Sequence, residues 1–195
     1  MPQAYMGDRF ARTIRFPDPL YPVLGSIAPN AGHTTVQDYV VWLLVERHRE
    51  DIAAEIRRRR NMPPDAPVNV DKELRLHLRP RRNVDQLPLA TADVPAVQMM
   101  PPPAKTGERL ARTIRFPDPL FPVLESVAAD AGHSKAQDYV ISLLVSHHRK
   151  QIAAVIKHRR QLAPNADVDV DAELQLPRAH KQPADQESQQ LPLSA

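Results

Sequence analysis

ARTIRFPDPL, running from Ala11 to Leu20, returns unchanged from Ala111 to Leu120. It heads a repeat that keeps strict register from Asp8 to Leu76 and from Glu108 to Leu176, with 42 of 69 aligned positions identical. An offset of 100 residues within a chain of 195 makes two small equivalent units, not one larger domain. Each unit is thin for a self-sufficient core, so the two copies are expected to share one.

Within the stretch the side chains alternate. Phe10, Ile14 and Phe16 fall on one side, and Arg9, Ala11, Thr13 and Arg15 on the other. A period of two predicts a strand with one buried face and one free face. Arg12 breaks the apolar register and is expected near the strand's end, reaching solvent or phosphate. FPDPL then stops the strand, because Pro17 cannot donate to a ladder, Asp18 can cap, and Pro19 suits the first position of a helix. A first helix is predicted from Pro19 to Ala31, ended by Gly32 in the left-handed region. Gly25 and Pro29 weaken it in the first copy, where the second has Glu125 and Ala129, so packing must hold it.

A second helix is predicted to open with a capping box, Thr34 to Gln37 and Ser134 to Gln137, ahead of YVVWLLV and YVISLLV. Those runs are apolar around most of the helix and imply burial on several sides. Val40, Leu43, Leu44, Val140, Leu143 and Leu144 are the expected core. Helical character continues through IAAEIRRRR and IAAVIKHRR. The divisions are therefore unit 1 over 8–60, an appendage over 61–76, a linker over 77–107, unit 2 over 108–160, a second appendage over 161–176 and a polar, Gln- and Pro-rich tail over 177–195 that reads as disordered. Alternation around Val68 and Val70 suggests a short strand in the appendage.

The net charge of +3 and a pI near 9.4 argue only weakly for nucleic acid. Distribution says more. Arg9, Arg12 and Arg15 sit at the strand and Arg57 to Arg60 close the helical region, with Arg109, Arg112, Arg115 and then Lys157, His158, Arg159 and Arg160 in the second copy. Basic groups at a helix end can simply offset its dipole. The chain has no cysteine, which excludes disulfides and thiolate metal sites, and no apolar run approaching a membrane span. The expectation is a soluble, cytoplasmic protein. His33, His48, His133, His147 and His148 lack ligand spacing with carboxylates, so turn and helix-surface roles are expected and no metal. With five glycines and no nucleophile motif, neither an enzyme nor a cofactor is indicated. Trp42 reads as core or interface.

Strand, FPDPL, helix, AGHT or AGHS, capped helix: this order resembles the ribbon-helix-helix DNA-binding family of Arc and MetJ type, over about residues 9 to 50 and 109 to 150. The resemblance implies a mainly α fold with a short β-ribbon, two units forming a pseudo-dimer within one chain or an intertwined homodimer. It implies that the paired strands enter the major groove of double-stranded DNA and offer Ala11, Thr13, Arg15, Ala111, Thr113 and Arg115 to base edges. Alanine departs from the polar residue usual at that place. The resemblance further implies phosphate contacts from Thr34, Thr35, Ser134 and Lys135 at the second helix's N-terminus, joined by Arg9, Arg12, Arg109 and Arg112 at the strands. A linker of 77–107 spans about 30 Å on average, so pairing within one chain is reachable. The leading expectation is a transcriptional repressor. Alternatives are an accessory protein of a relaxosome or plasmid-partition system, and an antitoxin-like module that grips a protein partner through its appendages or tail.

Overall fold

The computed structural model describes residues 9–76 and 109–176. The linker at 77–107 and the tail at 177–195 lie outside the described residues, as do Asp8 and Glu108. Each copy contributes one strand, β1 (Arg9–Pro17) and β2 (Arg109–Pro117), and these pair antiparallel into a two-stranded sheet. The register places Thr13 opposite Thr113, Arg15 opposite Ala111 and Ala11 opposite Arg115, so the pairing is symmetric about the two threonines. After β1 come α1 (Leu20–Asn30), α2 (Val36–Arg47), α3 (Arg49–Arg59) and the short α4 (Val70–Glu73); after β2 come α5 (Leu120–Asp130), α6 (Ala136–Arg159) and α7 (Val170–Glu173). The copies differ little here, since α6 bends at His148 (φ −109°, ψ 18°) where His48 (φ −113°, ψ 26°) separates α2 from α3.

One core joins both copies. Ile14, Phe16, Ile114 and Phe116 drop from the sheet onto Leu20, Leu24, Val40 and Leu44 and their second-copy equivalents, all buried. Leu143 is only partly buried, while the other five expected core positions are buried outright. Gly32 and Gly132 end α1 and α5 at φ +82° and +77°, the region glycine enters without a Cβ clash. Helix α1 runs through both Gly25 and Pro29, held by the burial of Leu20, Val23, Leu24 and Ala28.

Several expectations need correction. Phe10 is 37% exposed and Leu110 38%: each is the second residue of its strand and lies at the rim of the core. Arg12 is mid-strand, opposite Ile114, and not near the strand's end. It shares the inward side with Ile14, and its guanidinium sits over the Phe121 ring at 4.6 Å; Arg112 does the same over Tyr21 at 5.2 Å. A cation over an aromatic face, its stem on apolar surface and its head in water, can occupy an apolar register position. Asp18 does not cap α1, whose N-cap Pro19 follows a cis peptide bond. It pairs instead with Arg159, and Asp118 pairs with Arg59 at 2.7 Å, each clamp tying one copy to the other.

The appendage is not a strand. Asn69 accepts a hydrogen bond from Lys72 N–H, and Asp169 accepts from Asp171 and Ala172 N–H, so both residues cap helical turns. Val70 and Leu74 then face the core together, as do Val170 and Leu174. Two residues of each basic helix end fix this appendage: Arg57 donates to the Ala66 carbonyl, Lys157 to that of Pro164, Arg60 pairs with Glu73 and Arg160 with Glu173. At its start, Asn61 and Gln161 take φ of +50° and +54°. Glutamine is costly there. Gln161→Gly should raise unfolding stability by about 0.5–1 kcal/mol, read from the urea midpoint at unchanged m; a lower midpoint would show that the Gln161 side chain outweighs its backbone strain.

The histidines at the bends are buried, 5% exposed for His48 and 3% for His148, against the surface role expected of them. Tyr39 Oη and His148 Nε2 share a hydrogen bond of 3.1 Å, and Tyr139 Oη and His48 Nε2 one of 3.0 Å, each from one copy to the other. His48 Nδ1 also meets Asp51 at 3.1 Å, whereas His148 Nδ1 is buried with no hydrogen-bond partner among the described residues. Burial, aided by the neighbouring His147, pushes the His148 pKa down to about 4 from 6.5. The unfolded chain therefore takes up this proton first, so the stabilisation is complete above pH 6.5 and is lost as pH falls toward 4. Arg58 and Arg59 hold the Glu55 carboxyl low, which acts in the same direction. The urea midpoint should thus fall steadily between pH 7 and pH 4, with His148→Gln flattening part of the slope. A pH-independent midpoint over that range would contradict it.

Candidate nucleic-acid interface

Alternation gives the central part of the sheet an outer side with six exposed side chains. Ala11, Thr13, Arg15, Ala111, Thr113 and Arg115 are all exposed. Across the strands they form three rows, arginine beside alanine, threonine beside threonine, alanine beside arginine. The threonine hydroxyls approach to 3.4 Å at the centre. Each arginine has only a methyl group opposite, so neither guanidinium is crowded, and among the described residues neither is held by an ion pair. The result is a narrow ridge with two forked cations flanking a hydroxyl pair, able to present planar donors and small apolar contacts to a surface that fits a two-stranded ribbon.

The residues expected to hold phosphate are placed unevenly. Thr34 and Thr35 are exposed before α2, but their hydroxyls donate to Asp38 Oδ2 at 3.3 and 2.8 Å. The cap is one residue later than the sequence suggested: Thr35, not Thr34, accepts from the Asp38 N–H at 3.0 Å. Thr35 and Asp38 thus make the reciprocal pair. In the second copy Lys135 holds the N-cap position without a side-chain cap, and Ser134 precedes it, both exposed. Arg12 and Arg112 are exposed beside the ridge, on the inward side of the ribbon. Arg109 donates to the Gln175 carbonyl at 3.2 Å, and Arg9 is partly buried.

Gln137 has a role that the capping-box reading missed. With its amide oriented to match its neighbours, it donates to the Thr13 carbonyl at 3.3 Å and accepts from the Arg15 N–H at 3.1 Å. A two-stranded sheet leaves two open edges, and here the first turn of α6 closes one of them beside the exposed arginine. The signal in the sequence is a polar amide kept at both Gln37 and Gln137 directly before an apolar run. The ribbon is therefore fixed to the helix that follows the opposite strand.

Among the described residues no group of three or more His, Cys, Asp or Glu is placed to hold a metal ion, and no helix is long and apolar enough to cross a membrane. Compared with protein-family models, with curated proteins and with solved structures, the chain finds no match.

Proposed function

We propose that this chain is a sequence-specific double-stranded DNA-binding protein of the ribbon-helix-helix kind, its two copies acting as a pseudo-dimer within one molecule, and that it works as a transcriptional repressor. The observation that carries this reading is the outer side of the β1–β2 ribbon, with Thr13, Arg15 and their mates exposed in a symmetric register. A ribbon of two strands fits the major groove, where arginine can fork onto guanine O6 and N7 and threonine can bond a base or touch the thymine methyl. Alanine at positions 11 and 111 supplies only apolar contact, so the flanking base steps are read weakly. Identical strands predict half-sites of nearly the same sequence in inverted orientation.

The test is selection of duplexes from a random pool, followed by binding to the winner and to a scrambled control. Enrichment of an inverted repeat is expected; no enrichment at any ionic strength would remove the reading. Affinity for the selected duplex should also fall steeply as salt rises, because each phosphate neutralised by Lys135, Arg12 or Arg112 releases counterions. Lys135→Ala should make that salt dependence shallower by about one unit of log–log slope. A salt response that is flat for the unaltered chain would exclude DNA as the partner.

A further inference from the structure

Two serines one turn apart on α6 stand where the first copy carries large side chains: Ser142 replaces Trp42, and Ser146 replaces Glu46. In the first copy the Trp42 ring packs on His33, with centroids 5.2 Å apart, and on Tyr39 at 6.0 Å with planes 26° apart. Glu46 accepts from the Arg49 guanidinium at 3.3 and 3.2 Å. In the second copy the corresponding region is a cleft of about 480 Å³ between α6 and the α7 appendage, bordered by His133, Asp138, Ser142, Ser146 and Arg149. That is within the size range of small-ligand sites. Ile141 and Leu176 give it an apolar part.

Most charges around the cleft are engaged. Arg149 is paired with Asp171, Arg109 donates to the Gln175 carbonyl, and Asp169 caps α7. Asp138 differs. Its counterpart Asp38 takes hydrogen bonds from Thr34 and Thr35, but with Ser134 and Lys135 in their places no side-chain hydrogen bond or ion pair reaches the Asp138 carboxylate among the described residues. The lining thus combines room for a flat ring, a histidine to pack it against, and one carboxylate without a partner.

We infer that this cleft is a binding site for a small planar nitrogen heteroaromatic bearing an ammonium group, its ring taking the place that the Trp42 indole fills in the first copy and its charge pairing with Asp138. The first copy shows the kind of ring that suits the surface, and the second copy carries serine in its place. The inference does not depend on what the ribbon binds.

Tryptamine, indole and indole-3-acetate titrated into the full chain by calorimetry give the test. Tryptamine should bind saturably at one site per chain, indole several-fold more weakly, and indole-3-acetate more weakly still because its carboxylate meets Asp138. Ser142→Trp should abolish tryptamine binding while keeping the circular dichroism spectrum and a melting temperature at or above that of the unaltered chain. Ser142→Ala should keep binding, and Asp138→Asn should erase the preference for tryptamine over indole. Absence of saturable tryptamine binding to the unaltered chain, equal affinity in Ser142→Trp, or an Asp138→Asn preference unchanged from the parent would each overturn the assignment.

Discussion

If the ribbon reads duplex DNA as proposed, replacing Arg15 and Arg115 together by alanine should sharply weaken sequence-specific binding and leave the fold standing. Both side chains are exposed on the outer side of the ribbon, and among the described residues no ion pair holds them, so their removal takes away little folding energy. A good bidentate contact to a base is worth about 1–3 kcal/mol, and two lost contacts weaken binding by roughly thirtyfold to more than 10⁴-fold. The loss should concentrate on the selected duplex. Affinity for scrambled DNA, carried by phosphate contacts, should drop far less, so the ratio of the two affinities is the quantity to measure by fluorescence anisotropy at one fixed salt concentration. Arg15→Ala alone should weaken one half-site and make the footprint lopsided. A specificity ratio untouched by the double substitution would take the ribbon out of the mechanism.

Phe16→Ala should be the most damaging single change to stability. Phe16 is fully buried beneath the ribbon with its ring 5.4 Å from that of Tyr21, and Phe116 sits equivalently 5.6 Å from Phe121. Truncating a buried phenylalanine costs about 3–5 kcal/mol, set against a total stability of about 5–15 kcal/mol for an ordinary domain. The residue lies on the strand that both copies need, so the damage should spread. Urea unfolding should remain a single transition, with β1 and β2 lost together with the helices. A loss below about 1 kcal/mol would mean that the ribbon is not anchored through this ring.

Much of the fold was legible because local pattern and tertiary need agree. The period of two over Arg9 to Phe16 became β1, the glycines at 32 and 132 end their helices at positive φ, and Val40, Leu44, Val140 and Leu144 are buried. What failed did so for identifiable reasons. Polarity alone places Arg12 at an end, since nothing local says that Phe121, more than a hundred residues later, will lie under its guanidinium. The histidines at 48 and 148 look like surface residues until Tyr139 and Tyr39 arrive from the opposite copy. Asn69 and Asp169 between valines imitate strand alternation, yet each is a helix cap. For the proposed site, the ribbon's exposed side chains followed from periodicity, whereas Gln137 at its edge and the unequal surroundings of Asp38 and Asp138 required coordinates.

The clamps from Asp18 to Arg159 and from Asp118 to Arg59 join two copies that occupy separate stretches of one chain. In an assembly of two identical chains every mutation lands twice, so a change that suits one side is forced on the other. Here each position is inherited once. Selection can alter one copy while its twin stays as it was, and positions 42 and 142, tryptophan in one copy and serine in the other, already differ in this way. If the ribbon reads DNA as proposed, a gene with this layout can follow a target as it drifts away from perfect symmetry, one half at a time.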